Sequence, residues 1–232
     1  MRSISRPNFA CHVSRHDIGV NVFSVDPEQC RQLCSVGGFI QFLPEYRCTD
    51  EFINSPNEIW HVSTARVFLR HTRGSQRILL GGSIADLAAG ETIPYVAYSL
   101  FERQGQERRQ VTLHGAALAK AGRGVVLLGK EGAGKTILSL ELCLRHGFRL
   151  IANDLLLIGV IDNGLWLLGG TKHFFVRLAV VQQYTPELIS FFRDKTAKDP
   201  WRCRTSIPAE EIGVEVEKEP TKVMRAVTVQ LP

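Results

Sequence analysis

The sequence lacks several features that would assign it to a broad class at once. No apolar stretch reaches the roughly 18 residues that a membrane-spanning helix needs, and residues 1–17 contain no apolar secretory segment. We also find no internal repeat and no low-complexity tract. These absences predict a soluble, cytoplasmic, globular protein with no membrane partner.

The cysteines do not form any pair with the C-x-x-C spacing of common zinc or redox motifs. The six are Cys11, Cys30, Cys34, Cys48, Cys143 and Cys203. We interpret them as ordinary thiols of a reducing compartment. The alternative is a zinc site, because Cys30 and Cys34 are four residues apart and would share one face of a helix, with His12 or His16 as a further ligand.

Dense clusters of positive charge are also missing, although the net charge is +5. The nearest thing to a cluster is Arg66, Arg70, Arg73 and Arg77, with few aromatic residues beside it. Nucleic-acid-binding surfaces usually show denser basic clusters, so we expect no nucleic-acid partner. The 232 residues, 44% of them hydrophobic and 22% charged, suit one large domain or a core domain with a small one.

The first part of the chain consists of short, mixed segments. "GVNVFSV" and "RVFLRH" alternate as strands do, "RILLGGS" is a strand followed by a turn, and Asp26-Pro27 is typical of a helix start. We predict a small β-rich N-terminal module over residues 1–90. Residues 91–104 are predicted to be a helix that opens the second domain, with a buried stripe formed by Tyr95, Tyr98 and Phe101.

From residue 111 onward, strands and helices alternate. "VTLHGAAL", "GVVLLG" and "FRLIAND" predict strands, and "KTILSLELCLRHG" predicts a helix that ends at Gly147. "LLLIGVIDNGLWLLGG" predicts a hairpin around an Asp-Asn-Gly turn. "TPELISFFRDK" predicts another helix, and "VMRAVTVQLP" a last strand that no helix follows, so the natural chain is either short or continues further. The pattern predicts an α/β catalytic core with a mixed sheet over residues 91–232.

Residues 129–136, "GKEGAGKT", match the phosphate-binding pattern G-x-x-x-x-G-K-[ST]. Glycines let a loop turn its N–H groups toward one point, and the helix that follows adds the positive end of its dipole. An apolar strand enters this loop and an amphipathic helix leaves it, which is the required context. The residues predicted to bind the phosphates are Gly129, Lys130, Glu131, Gly132, Ala133, Gly134, Lys135 and Thr136.

A nucleotide triphosphate is normally bound together with Mg²⁺, which prefers oxygen ligands. The Thr136 hydroxyl is one predicted ligand, and the carboxylate of Asp154, at the end of the next strand, is the other. We expect that strand to lie directly beside the strand that enters the loop. The sequence contains no guanine-recognition motif N-K-x-D, so ATP is preferred to GTP.

The segments "LHGAAL", "GVVLLGKEGAGKT" and "FRLIANDLLLI" together resemble the catalytic core of HPr kinase/phosphorylase and its shorter relatives. The order and spacing of these segments match over about residues 111–160. The resemblance implies a phosphoenolpyruvate-carboxykinase-like P-loop kinase core that moves the γ-phosphoryl group of ATP to a serine-type hydroxyl. Relatives in that family often form hexamers, so the resemblance also implies a homo-oligomer.

The same resemblance implies roles for individual residues. His114 falls at the family's histidine near the γ-phosphate, and Asp154 falls at the carboxylate that contacts Mg²⁺ or the acceptor. In "GGTKHFFVR", Lys172 and Arg177 fall where cations neutralise the transferring phosphoryl group. One position departs from the family, because Asn153 stands where HPr kinases carry the first of two aspartates.

Three functions follow from these observations. The first is an ATP- and Mg²⁺-dependent kinase whose acceptor is a serine of a peptide or protein, such as a ribosomal peptide precursor. The second is a kinase for a small-molecule hydroxyl. The third is a nucleotide-binding regulatory module without transferase activity, which the loss of a carboxylate at Asn153 would favour.

Overall fold

A computed structural model describes residues 7–26, 43–72 and 74–230 of the chain. The chain divides into two compact units, Met1–Glu107 and Arg108–Pro232. The division therefore lies after residue 107, whereas the sequence analysis placed it after residue 90. The helix start predicted at Asp26-Pro27 extends into a segment outside the described residues.

The N-terminal unit is built on a mixed six-stranded sheet. Its described elements are β1 (Asn8–Arg15), β2 (Ile18–Ser24), β3 (Tyr46–Thr49), β4 (Asn57–Val62), β5 (Phe68–His71), β6 (Arg77–Gly81), α1 (Ile84–Ala89) and α2 (Thr92–Glu107). The strands are arranged in the order β3-β1-β2-β4-β6-β5. The strands expected at "GVNVFSV", "RVFLRH" and "RILLGGS" are present as β2, β5 and β6.

Helix α2 packs into the core of this unit, and this packing determines where the unit ends. Its buried stripe includes Ile93, Ala97 and Phe101, which recur at the four-residue spacing of one helix face. The predicted stripe was partly wrong, because Tyr95 is 47% exposed. Tyr95, Tyr98 and Phe101 are three residues apart. Because a helix turn takes 3.6 residues, a spacing of three rotates gradually away from the face that contacts the sheet.

A buried arginine also ties α2 to the first strand. Arg15 on β1 is 1% exposed, forms an ion pair with Glu102 and donates to the carbonyl oxygen of Phe101 at 2.6 Å. Buried charges are rarely found unpaired because removing them from water is unfavourable. The pairing therefore holds α2 in one position against β1.

The zinc alternative at Cys30 and Cys34 stays a prediction. No group of three or more His, Cys, Asp or Glu residues within the described ranges is arranged to hold a metal ion. His12 is 3% exposed and its Nδ1 lies 2.8 Å from Asn21 Oδ1, which identifies it as a core residue. Cys30 and Cys34 lie outside the described residues.

The interpretation of all cysteines as free thiols was wrong for Cys11, which is disulfide-bonded. Cys48, Cys143 and Cys203 are not disulfide-bonded. Burial raises the pKa of Cys48 to about 11 and that of Cys143 to about 12. These two thiols are therefore protonated at neutral pH.

The C-terminal unit contains a closed barrel of five strands, in the order β10-β13-β8-β7-β9, and a separate antiparallel pair, β11 and β12. Its strands are β7 (Gln110–Lys120), β8 (Arg123–Leu128), β9 (Arg149–Ile161), β10 (Gly164–Gly170), β11 (His173–Arg177), β12 (Arg204–Pro208) and β13 (Thr221–Thr228). Its helices are α3 (Lys135–His146) and α4 (Leu178–Tyr184). The helix expected at "TPELISFFRDK" is a shorter 3₁₀ helix over Pro186–Phe191. It ends there because the backbone of Phe192 is extended.

Alternation along the barrel strands produces two hydrophobic clusters on opposite faces of the sheet. On β7, Ala117 and Ala119 belong to one cluster, while Ala116 and Leu118 belong to the other. The second cluster includes Leu140 of α3, so that helix covers one face of the barrel wall. The packing fixes where α3 begins relative to β8, and with it the loop between them.

Both units combine helices with mixed or antiparallel sheets, which confirms the coarse α/β class. The finer expectation, a phosphoenolpyruvate-carboxykinase-like P-loop core, stays a prediction. None of the helices in the described parts of the chain has the length and apolar character needed to span a membrane.

The placement of α2 in the N-terminal core yields a stability prediction. We expect Phe101→Ala to lower the free energy of unfolding of that unit by about 3–5 kcal/mol, because it removes a fully buried ring. The matched control on the same helix is Tyr95→Ala, which should change it by roughly 1 kcal/mol or less. Urea unfolding followed by circular dichroism measures both, and equal losses would contradict the packing of α2.

Candidate functional site

The loop between β8 and α3 has a backbone that depends on glycine at three positions. Gly129, Gly132 and Gly134 adopt φ values of 151°, 78° and 92°, which residues with a side chain rarely adopt. Gly129 is required for a second reason, because a Cβ there would lie 2.5 Å from the carbonyl oxygen of Val229. The glycines of the motif are thus explained by the shape of this loop.

The first turn of α3 has N–H groups that no side chain caps. Gly134 is the N-cap residue, it provides no side-chain hydrogen bond, and the first turn contains no acidic residue. The first N–H groups of a helix have no partner within it and carry partial positive charge. This helix start is therefore suited to receive an anion.

Lys135 is buried against the loop and donates hydrogen bonds to its backbone. Its side chain is 8% exposed, and Nζ donates to the carbonyl oxygens of Gly129 at 2.8 Å and Lys130 at 3.1 Å. An ammonium group has three N–H donors, so these two bonds leave one for a further acceptor. The half-buried Thr136 follows at the second position of α3.

Strand β7, not β9, lies directly beside the strand that enters the loop. The expectation that β9 is the neighbour of β8 was wrong, because β7 pairs with both of them. Ala116 of β7 lies opposite Leu127 on one side and Asn153 on the other. Neighbouring strands are about 4.8 Å apart, which puts Asp154 roughly 10 Å from the end of β8 across the sheet.

Gly115 occupies the position between the end of β8 and Asp154. It pairs with Asp154 on β9, and a Cβ at this position would lie 3.0 Å from the carbonyl oxygen of Leu127. Because glycine has no side chain, nothing projects from β7 at this point. Glycine at this position thus avoids a close contact with the backbone of β8.

Asp154 has a strained backbone that its neighbours hold in place. Its φ is 82°, which is uncommon for a residue other than glycine. The N–H of Asn153 donates to the carbonyl oxygen of Thr171 at 2.8 Å, and the N–H of Thr171 donates to that of Leu155 at 2.9 Å. Strain of this kind persists only where the surroundings enforce it, and it is common at functional sites.

His114 and Asp154 form a solvent-accessible pair on adjacent strands. His114 Nδ1 lies 3.3 Å from Asp154 Oδ1, and the two side chains are 51% and 40% exposed. The arrangement brings together an imidazole and a carboxylate that are both open to solvent. A histidine beside a carboxylate can orient it or share a proton with it.

Asn153 is buried and is used as a hydrogen-bond donor. It is 1% exposed, and its Nδ2 donates to the carbonyl oxygen of His173 at 3.0 Å. Its Oδ1 accepts no hydrogen bond from any residue in the described part of the chain. An ionised carboxylate has no N–H or O–H to donate, so the Asn at this position meets a need of the fold that Asp would not meet.

His173 completes the surroundings of Asn153. Burial lowers its pKa, and the nearby carboxylate of Glu211 opposes this shift more weakly. Its Nδ1 lies 3.0 Å from the Ser206 hydroxyl oxygen. The imidazole is therefore neutral at pH 7.

The two cations predicted from "GGTKHFFVR" have different surroundings. Lys172 donates through Nζ to the carbonyl oxygen of Ile151, so it contacts β9 close to Asp154 in sequence. Arg177 reaches the loop instead, with Nη2 3.6 Å from Oε1 of Glu131. The structure thus links Arg177 to the loop and Lys172 to β9.

Arg204 is a candidate that sequence reasoning missed. It lies on β12 directly opposite Arg177 of β11, and its Nη2 is 3.8 Å from the same Glu131 oxygen. The pairing of β11 with β12 brings together residues from distant parts of the sequence. No local motif marks Arg204, so only knowledge of that pairing would have identified it.

The chain is similar to a protein of known structure over only part of its length. No family model matches the chain, and no curated protein is detectably related to it. Among solved structures it is similar to the HPr(Ser) kinase/phosphatase from Coxiella burnetii, with 17% sequence identity and a TM-score of 0.34. The match covers 50% of this chain and 58% of that chain, so it is partial as well as distant.

The role of Asn153 yields a prediction with a defined pH dependence. We expect Asn153→Asp to lower the free energy of unfolding by about 3 kcal/mol at pH 7, because it places a buried carboxylate against a carbonyl oxygen. Such a group has its folded pKa raised above the unfolded value of about 3.9. Its destabilising effect is therefore full above the raised folded pKa, declines as the pH falls, and is lost below about pH 3.9, where the carboxyl is protonated in both states and can donate.

The matched control is Asn163→Asp, the same chemical change at an exposed turn residue. Urea unfolding at pH 7 and pH 4 measures both variants. The control should stay within about 0.5 kcal/mol of the unmodified chain. If Asn153→Asp were equally harmless at pH 7, the structural explanation for asparagine here would be wrong.

Proposed function

We propose that the C-terminal unit binds ATP with Mg²⁺ and transfers its γ-phosphoryl group to a hydroxyl, that of a serine in a peptide or protein. The observation that carries this proposal is the loop itself. Three glycines in positive-φ conformations lead into a helix start without a capping side chain, and a buried lysine lies beneath them. Such a loop binds phosphates in P-loop proteins.

The triphosphate would be bound mainly by backbone N–H groups of residues 129–136. The start of α3 adds the positive end of its dipole. The ammonium group of Lys135 adds a full positive charge and its remaining N–H donor. These groups are already held in position by the loop's own hydrogen bonds, so little reorganisation is needed on binding. Pre-organised donors of this kind are a main source of catalytic stabilisation.

Mg²⁺ would be held by the Thr136 hydroxyl and the Asp154 carboxylate. Both supply the oxygen donors that Mg²⁺ prefers, and it commonly keeps water and substrate oxygens as its other ligands. When bound, the ion neutralises negative charge on the phosphates. The donor chemistry of these two residues fits the ion.

For the transfer step, Asp154 is the group that would orient the acceptor hydroxyl and receive its proton. His114 lies 3.3 Å from it and is proposed to position that carboxylate. Asn153 is not a candidate base, because its amide does not take up a proton at neutral pH and its Nδ2 is engaged with His173. Phosphoryl transfer depends more on positioning and charge neutralisation than on a strong base.

A second candidate function is a nucleotide-binding module that transfers nothing. The observation that favours it is that β9 contributes a single carboxylate, because the position before Asp154 is an amide that serves the fold. Under this alternative the loop binds ATP, and the His114–Asp154 pair has no acceptor. Binding and transfer must therefore be measured separately.

Binding of ATP is tested by replacing the lysine under the loop. We expect Lys135→Ala to weaken ATP binding about ten- to one-hundredfold, because a hydrogen bond to a charged group contributes roughly 1.5–3 kcal/mol. Lys218→Ala, which removes an exposed lysine of the same unit, is the control and should leave affinity unchanged. Calorimetry that detects no ATP binding by the unmodified chain would contradict the proposal.

Transfer is tested with γ-labelled ATP and two acceptor sets, serine-containing peptides and small-molecule alcohols. We expect labelled product that disappears when EDTA removes Mg²⁺. The transfer rate of Asp154→Asn should be lower than that of the unmodified chain by about a hundredfold or more. Asp162→Asn, at an exposed turn, is the matched control. Intact ATP binding with no turnover on either acceptor set would instead support the non-catalytic module.

A further inference from the structure

Two arginines at one end of the β11–β12 pair both lie near the carboxylate of Glu131. Arg177 and Arg204 are directly opposite each other in the register of the two strands. Each has its Nη2 near the same oxygen, Oε1 of Glu131, at 3.6 Å and 3.8 Å. Like charges placed opposite each other on a sheet repel, so an anion between them relieves that repulsion.

An acidic residue such as Glu131 is unexpected in a loop that is proposed to bind phosphates. It is the one acidic residue in "GKEGAGKT", a loop whose other features favour a negatively charged ligand. A carboxylate in this loop repels a triphosphate unless its charge is compensated or it moves away. The two arginines compensate that charge in the structure.

The contacts that hold Glu131 are weak enough to be exchanged. The side chains of Glu131, Arg204 and Arg177 are 80%, 60% and 35% exposed, and both distances exceed those of a good hydrogen bond. Ion pairs with this exposure contribute little to stability. A phosphate group, with more charge and more acceptor oxygens, forms stronger paired hydrogen bonds with guanidinium groups.

We propose that Arg177 and Arg204 form a second anion site, for the terminal phosphate of the nucleotide, and that Glu131 occupies it until the nucleotide binds. This inference rests on the proposed function, because it needs a triphosphate in the loop. Arg204 becomes a binding residue, and Glu131 becomes a competitor of the substrate instead of a ligand for it. The site recognises the γ-phosphate, so it distinguishes ATP from ADP.

The test is calorimetric measurement of Kd for a non-hydrolysable ATP analogue and for ADP, each with Mg²⁺, on the full chain. We expect Arg204→Ala to weaken the ATP analogue on the order of tenfold, with ADP changed less than about twofold. Arg202→Ala is the matched control, because this exposed arginine pairs with Asp199 instead of Glu131. It should leave both affinities unchanged.

Glu131→Gln gives the opposite sign and separates the proposal from a structural role. We expect it to tighten binding of the ATP analogue about two- to fivefold, the range expected when an exposed ion pair no longer competes. Part of any gain is general loss of negative charge, so the double variant with Arg204→Ala is needed. The gain in affinity from Glu131→Gln should be smaller when Arg204 is also replaced by Ala, because the gain depends on Arg204 being released from Glu131.

Each outcome decides between the two proposals. If Lys135→Ala weakens binding but Arg204→Ala affects ATP and ADP equally, or Glu131→Gln does not tighten the ATP analogue, the second anion site is wrong and the nucleotide loop stands. An equal gain from Glu131→Gln with and without Arg204 would likewise overturn it. If the unmodified chain binds neither nucleotide, both proposals are overturned.

Discussion

The close approach of β13 to the end of β8 is the constraint on which the candidate site depends. The N–H of Val229 donates to the carbonyl oxygen of Leu128 at 2.7 Å, and the Val229 carbonyl oxygen fills the space where a Cβ of residue 129 would be. The chain can leave β8 at this point only through a glycine. That exit sets the course of the loop, and the packing of α3 on the barrel sets where the loop ends.

A second constraint acts on the opposite side of β7. Thr171 bonds to the backbone on both sides of Asp154, and the amide of Asn153 bonds to His173. Together these bonds hold Asp154 in a strained conformation beside His114. Asn153 is therefore part of the support for the backbone of Asp154.

Local patterns predicted the parts of the fold that depend on neighbours in sequence. The strand, loop and helix around residues 125–147 are present, and Asp162 and Asn163 adopt the positive φ values that the predicted hairpin turn needs. Contacts between distant segments were not predictable in this way. The insertion of β7 between β8 and β9, the membership of α2 in the N-terminal core and the pairing of Arg177 with Arg204 all depend on tertiary packing.

The most direct test of the central claim is a crystal structure of the chain with a non-hydrolysable ATP analogue and Mg²⁺. The account predicts the triphosphate against the N–H groups of residues 129–136, with one ion bound by the Thr136 hydroxyl and by the Asp154 carboxylate. A nucleotide bound elsewhere would contradict it. So would an ion whose ligands exclude either of those two oxygen atoms.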